Sequence, residues 1–260
     1  MSVHLDISYA DAVTDSDRQQ ARSFGTVADR YDRFRPSYPV DAVVWALGVR
    51  RPLRVADIGA GTGILSRLLR RLGHDVIAIE PDDRMRARLA QGSPGVAAVA
   101  GTAEEIPLLD RSVDAVVAGQ AYHWFDTARA HPEIARVLRP NGVFAALRND
   151  ADVQVPWTVR LVEVIDGPDA TMRARRRSEF GRLFGPVALA EFRHELWLTL
   201  DELLALTTTR SPYLVADPQG RRDLIDAVRL VAAEAALPAR ERFAMPHVTR
   251  VHRATVSANH

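Results

Sequence analysis

The sequence predicts an α/β fold: a doubly wound, mostly parallel sheet with helices on both faces. Three observations predict it. Short, nearly continuous apolar runs recur across residues 54–147, as strands buried on both faces require. Stretches with apolar residues at helical spacing separate these runs. Glycines or prolines punctuate the joints.

Residues 54–58 form the first strand, which stops at glycines. Ile64, Leu65, Leu68, Leu69 and Leu72 then fall at helical spacing, and Gly73 is a stop signal. Residues 75–79 are the second strand. A helix holding Met85 and Leu89 breaks near Gly92 and Pro94. Residues 96–100 and 113–117 are the third and fourth strands. Ile134, Val137 and Leu138 share one face of a helix expected to end at Pro140, and residues 143–147 are the fifth strand. The crossovers should be right-handed.

The flanks are less regular. Residues 1–20 are polar. An aromatic, basic stretch with Phe24, Tyr31, Phe34, Arg35 and Tyr38 follows, punctuated by Pro36 and Pro39, and a short helix is expected over 41–47. Beyond residue 148, helices are expected over 159–165, 201–206 and 219–236, and strands over 192–200 and 248–256. The amphipathic face of the 219–236 helix carries Leu224, Ile225, Val228 and Val231. Residues 167–186 are polar and basic. The expected organisation is one domain over 1–260: a cap (1–45), a ligand-binding core (46–148), a variable lid or insertion (149–190) and C-terminal strands and helices (191–260).

Composition narrows the function. There are no cysteines, so disulfides and thiolate metal sites are excluded, and no metal is expected. The net charge of +1 argues against a charge-driven nucleic-acid binder. The start Met1-Ser2-Val3-His4-Leu5-Asp6 lacks the basic, then apolar, pattern of a secretory signal. No apolar run is long enough to span a bilayer. The expectation is a cytoplasmic monomer or homodimer that binds neither membrane nor nucleic acid.

The sharpest motif is Asp57-Ile58-Gly59-Ala60-Gly61-Thr62-Gly63, between the first strand and the first helix. Glycines let the backbone turn tightly and approach a ligand. In a doubly wound sheet this turn lies at the ligand-binding edge. A dinucleotide fingerprint counted from Gly59 needs a small residue at 64, where Ile64 stands. Asp57 would also set a carboxylate near a pyrophosphate. A cationic amino-acid ligand meets no such conflict.

Asp57-x-Gly59-x-Gly61-x-Gly63 resembles the first motif of class I methyltransferases that use S-adenosyl-L-methionine (SAM). The resemblance continues, in order, through Glu80-Pro81-Asp82 with Met85, the 101–107 loop, Asp114 to Val117, and Leu138 to Val143, covering about residues 24–148. It implies a Rossmann-like seven-stranded sheet whose last strand is antiparallel, with an N-terminal helical cap and an insertion after the fifth strand. It also implies methyl transfer from SAM to a small-molecule oxygen, nitrogen or carbon, releasing S-adenosyl-L-homocysteine (SAH).

The resemblance assigns cofactor contacts to Asp57, Gly59, Ala60, Gly61 and Gly63, and the ribose hydroxyls to Glu80, followed by Pro81. Met85, Thr102, Ala103 and Glu104 fall on the adenine side, and Gln120 and Ala121 beside the methionine part. Ala28-x-x-Tyr31-x-x-x-Arg35-Pro36-x-Tyr38-Pro39 resembles the cap of small-molecule methyltransferases such as trans-aconitate methyltransferases. Tyr31 is then a candidate for the SAM carboxylate, Arg35 for the same anion or an acidic acceptor, and Tyr38 for the acceptor. Tyr122, His123 and Trp124 either line the acceptor pocket or form an aromatic plug under the next helix. His123 is a candidate general base, although a lone histidine is more often structural. The run Arg173, Arg175, Arg176 and Arg177 reads as a solvated face or an anion site. Two rival readings are a SAM-binding protein without transferase activity and an NAD-dependent oxidoreductase.

Overall fold

In the computed structural model, which describes residues 24–48, 51–171 and 178–257, the predicted alternation folds into one seven-stranded sheet. Its strands are β1 (Arg54–Ile58), β2 (Asp75–Ile79), β3 (Ala97–Val99), β4 (Val113–Gly119), β5 (Leu138–Ala151), β6 (Ala188–Leu198) and β7 (Phe243–Thr255). Their order is β3-β2-β1-β4-β5-β7-β6. The first five are parallel, and β7 runs antiparallel between β5 and β6. This is the Rossmann-like, last-strand-antiparallel sheet that the sequence implied. The chain reverses direction across the sheet between β1 and β4, and ligands bind at such a switch point.

The helices are α1 (Ala28–Phe34), α2 (Val40–Leu47), α3 (Ile64–Arg71), α4 (Asp83–Gly92), α5 (Thr127–Val137), α6 (Pro156–Asp166), α7 (Leu200–Thr207), α8 (Ser211–Val215) and α9 (Pro218–Glu234). Alternation along the strands splits the core into two layers. Ile58, Ile79, Val116 and Phe144 face one side, and Val55, Val117, Leu69 and Leu147 pack on the other. Local signals fix the helix starts. The Asp82 carboxylate accepts the Arg84 and Met85 N–H groups, each at 2.9 Å, and Thr199 with Glu202 closes a capping box on α7. Among the described residues no helix is long and apolar enough to cross a membrane.

Besides β6, which spans Ala188–Leu198 rather than 192–200, three differences from expectation bear on the site. The helix before β5 ends at Val137, not Pro140, because Leu138 already pairs with Val113 in the sheet. The ring of Pro140 disfavours helical backbone at Arg139. Second, β5 runs four residues past its last pair with β4, Gly119–Leu147, and β7 starts at 243 rather than 248. The β5 extension pairs with β7, Arg148 opposite Arg250 and Ala151 opposite His247, and the β7 extension pairs with β6, Phe243 opposite Leu198 and Pro246 opposite Glu195. Third, α8 was not anticipated. A third apolar cluster covers the overhang, with Ala151, Leu161, Leu203, Val228, Val231, Phe243 and Met245. The arginine run at 173–177 lies outside the described residues.

Candidate cofactor and acceptor site

The carboxyl ends of β1, β2 and β4 open into a cavity of about 950 Å³, near the upper end of the roughly 300–1,000 Å³ typical of small-molecule sites. Each wall follows from local structure. The turn after β1 is pinned when the Gly59 and Ala60 N–H groups both donate to the Ile79 carbonyl, at 2.9 and 3.1 Å. Gly59 has φ +66°, and a Cβ there would stand 2.5 Å from that of Ala121. Gly61 has φ +57°, and a Cβ there would meet nothing within 4 Å, because it would point into the cavity.

Glu80, at the end of β2, faces this turn. Its Oε2 accepts the Gly61 N–H at 2.8 Å and its Oε1 accepts the Asp82 N–H at 2.9 Å. Each carboxylate oxygen keeps a lone pair for a ligand hydroxyl. Burial raises the Glu80 pKa, opposed by the two backbone N–H groups. Pro81, Met85, Thr102, Ala103 and Glu104 continue the same wall, and Glu104 is fixed by accepting the Asp126 N–H at 2.9 Å.

Across the cavity, Gln120 has φ +56°, a region costly for a residue with a side chain. Two bonds hold it there: its N–H donates to the Leu147 carbonyl at 2.8 Å, and its side-chain amide donates to the Asn149 carbonyl. Ala121 and Trp124 sit beside it on the wall. From the cap, Tyr31, Arg35 and Tyr38 reach the cavity. The Arg35 guanidinium lies 4.8 Å over the Tyr31 ring and donates to the Thr209 hydroxyl and carbonyl at 3.1 and 2.8 Å. Asn149 fastens this cap to the sheet, donating to the Ser37 carbonyl at 3.1 Å and accepting the Thr249 hydroxyl. Burial raises the Tyr38 pKa, so its phenol keeps its proton.

Three predicted contacts are placed elsewhere. Asp57 lies beneath the wall and is 1% exposed; its Oδ2 accepts the Ser66 hydroxyl at 2.6 Å. Burial raises its pKa to about 7, opposed by the Ser66 bonds and aided by Glu80. Gly63 faces α4, where a Cβ would meet Leu89 Cγ and Ser93 Oγ at 2.8 Å, so it serves helix packing. Tyr122 turns away into an aromatic cluster with Phe125, Phe144 and Phe180, and its hydroxyl donates to the Glu179 carbonyl at 2.8 Å. With its ring packed among aromatics and its hydroxyl satisfied by a carbonyl, it is the plug rather than a pocket wall.

His123 does line the cavity, with its ring 4.6 Å from that of Trp124. The residue is exposed. Burial within the recess lowers its pKa to about 3, and Arg148, Arg210 and Arg35 push the same way. Water in the recess weakens the burial effect, but the three guanidinium charges keep its sign. The imidazole is therefore neutral and a poor proton acceptor.

The sequence reading missed the far half of the cavity. Arg148, Asn149 and Asp150 come from the β5 overhang, Met245 and His247 from the β7 overhang, Leu161, Ile165 and Asp166 from α6, Leu203 and Leu206 from α7, and Arg210 from the cap of α8. One signal was available: Arg148-Asn149-Asp150 is a polar triplet directly after an apolar strand, on the ligand edge. Nothing comparable marks Arg210. Among the described residues no cluster of histidine and acidic side chains could hold a metal ion.

The same architecture occurs in known proteins. The family model described as a methyltransferase domain matches residues 56–146. An uncharacterized methyltransferase of Mycobacterium tuberculosis is 41% identical over 246 residues, covering 94% of this chain and 100% of its own length. A malonyl-[acyl-carrier protein] O-methyltransferase of Pectobacterium atrosepticum is 32% identical, covering 59% of this chain and 61% of its own. A solved structure assigned as a type II methyltransferase from Anaeromyxobacter dehalogenans has a TM-score of 0.60 at 23% identity, covering 86% of this chain and 98% of its own. Sheet order, glycine turn and full-length similarity agree: the chain belongs to the class I methyltransferase family.

Proposed function

We propose that the protein moves a methyl group from SAM to a small-molecule acceptor, releasing SAH. The observation that carries this reading is the open space over Gly61 directly beside the Glu80 carboxylate. A close backbone approach next to a two-oxygen acceptor suits a ribose diol. The buried Thr62 hydroxyl, which has no hydrogen-bond partner and belongs to the same wall, is a further unmet polar group there.

In this reading Glu80 holds the ribose. Met85 and Ala103 flank the adenine, and Gln120 with the cap residue Tyr31 faces the amino-acid end, while Arg35, held by Thr209, faces the far end. SAM supplies an electrophilic methyl group on a sulfonium, so the hard chemistry travels with the cofactor. The protein's part is to align an acceptor with that methyl and exclude water. Alignment alone contributes up to roughly 7–11 kcal/mol to barrier lowering. The cap, fastened by Asn149, and α6 to α8 close the cavity. The O-methyltransferase named above supports oxygen as the receiving atom.

Thermal unfolding with SAM, SAH and NAD tests the reading. A ligand at about 100 times its Kd stabilises by roughly 2.7 kcal/mol, a rise of about 5–10 °C for a chain of this size. A rise with SAM and SAH but not NAD is expected. A rise with NAD alone would refute the assignment.

A further inference from the structure

The cavity is electrically polarised. Its cofactor end is lined by Glu80, Asp82, Glu104, Glu105 and Asp126, with Arg129 at the start of α5, and stays strongly acidic. Its far end carries Arg35, Arg148 and Arg210 against Asp150 and Asp166, which leaves one guanidinium charge in excess. Arg148 pairs with Asp150 at 2.9 Å, and Arg210 pairs with Asp166. Each guanidinium has five N–H donors, so a paired arginine can still take a second carboxylate. Beside these charges Leu161, Val162, Ile165, Leu203, Leu206 and Met245 form an apolar wall.

Resting on the reading of the site as a SAM-dependent methyltransferase, we infer that the far half binds a carboxylic acid with an apolar body and methylates it on a carboxylate oxygen. The charges place an anion at the end away from the acidic cofactor wall. The aliphatic residues give its hydrocarbon part a dry surface. A third observation concerns protons: no side chain at this end is suited to take one. The His123 imidazole is too weakly basic, burial lowers the His247 pKa to about 4, the Tyr38 phenol holds its own proton, and Asp150 and Asp166 are engaged with arginines. Alcohols, phenols and ammonium groups must lose a proton to become nucleophiles, whereas a carboxylate has none to lose. In the step, a carboxylate oxygen lone pair forms the new O–CH3 bond. The methyl–sulfur bond breaks and its electron pair stays on sulfur. One negative and one positive charge become a neutral ester and a neutral thioether.

The test uses the full chain saturated with SAH, titrated with octanoate, dodecanoate and phenylacetate. Matched octan-1-ol, dodecan-1-ol and 2-phenylethanol, and octylamine, are the controls. Transfer from methyl-labelled SAM is measured in parallel. At least one acid should bind about ten-fold more tightly than its alcohol and yield a labelled methyl ester. Arg148→Gln should weaken that acid on the order of ten-fold, with Arg148→Lys recovering part of the loss and SAH affinity unchanged. Asp150 keeps Arg250 at 3.3 Å in this variant. If Arg148→Gln does not fold, the wild-type preference between acids and alcohols still decides. Alcohols or octylamine that bind as well as the acids, or that become methylated instead of them, would overturn the inference and leave the cofactor reading standing. Failure of SAH itself to bind would overturn both.

Discussion

The Gly61 N–H donates to Glu80 Oε2 at 2.8 Å, so the turn after β1 and the acid after β2 are one unit before any ligand arrives. The Asp82 N–H occupies the other oxygen. A Glu80→Gln side chain offers one acceptor where two are needed, and its amide N–H2 must face one of these donors. The expected result is a loss of about 1–3 kcal/mol in unfolding free energy and at least a roughly ten-fold loss of SAH affinity. Urea unfolding and calorimetric titration read the two effects separately.

Gly61→Ala separates binding from folding. Its added methyl meets no protein atom within 4 Å, so only the left-handed backbone resists it, at roughly 1–2 kcal/mol. The methyl projects where a ligand would lie against the turn. The variant should fold with a melting temperature lowered by only a few degrees, yet lose SAH binding by about ten-fold or more. Gly59→Ala should instead damage the fold, since its methyl collides with Ala121 at 2.5 Å. Equal SAH affinity in wild type and Gly61→Ala would show that no ligand lies over this turn.

Asp57 gives the ligand-free protein a pH signature. Its carboxyl has a pKa near 3.8 in the unfolded chain and about 7 in the folded one. Between these values the folded state holds a proton that the unfolded state has released, so stability falls as pH rises from about 4 to 7 and is flat above. Asp57→Asn removes this contribution. Its unfolding free energy should gain on wild type across that window, on the order of 1–4 kcal/mol in all. Denaturant curves taken through the window check it, and parallel pH profiles for the two proteins would contradict it.

The glycine-turn half of the cavity was legible in the sequence because its residues sit at the ends of short apolar strands. Gly59, Gly61, Glu80, Ala103 and Gln120 follow β1, β2, β3 and β4 at the edge where such sheets bind ligands. Asp57 and Gly63 belong to the same motif, yet Asp57 is still within β1, buried against Ser66, and Gly63 lies against α4. Spacing alone cannot separate a contact from its support. The far half was hidden because it depends on the overhang of β5 and β7. Asn149, Asp150 and Pro246 are weak strand formers; Asn149 and Asp150 are held extended by pairing with Thr249 and Val248 of β7, and Pro246 by pairing with Glu195 of β6. Residues as distant as Arg148, Leu203 and Arg210 converge only through that pairing and its apolar cover.

Tyr122→Phe tests whether the plug is structural. The hydroxyl lost is bonded to the Glu179 carbonyl at 2.8 Å and lies 3.1 Å from His131 Nε2, away from the cavity wall. The change should lower stability by about 1 kcal/mol through those bonds while leaving SAH affinity and turnover close to wild type. A large drop in turnover at unchanged stability would return Tyr122 to the site.

His123 makes the final distinction. An ordinary imidazole, with pKa near 6.5, acting as base would give an acidic limb in kcat/KM between about pH 5 and 7. With its pKa lowered to about 3 by burial and by Arg148, Arg210 and Arg35, His123 stays neutral throughout that range and contributes no limb. His123→Gln should therefore change the rate through lost packing against Trp124 without changing the shape of the profile. Should wild type show a limb near pH 6.5 that vanishes in His123→Gln, the imidazole is the base, and an acceptor that must lose a proton replaces the carboxylate. A profile of unchanged shape leaves the arginines around His123 as the groups that govern which acceptor enters, because their charge persists at every pH the protein tolerates.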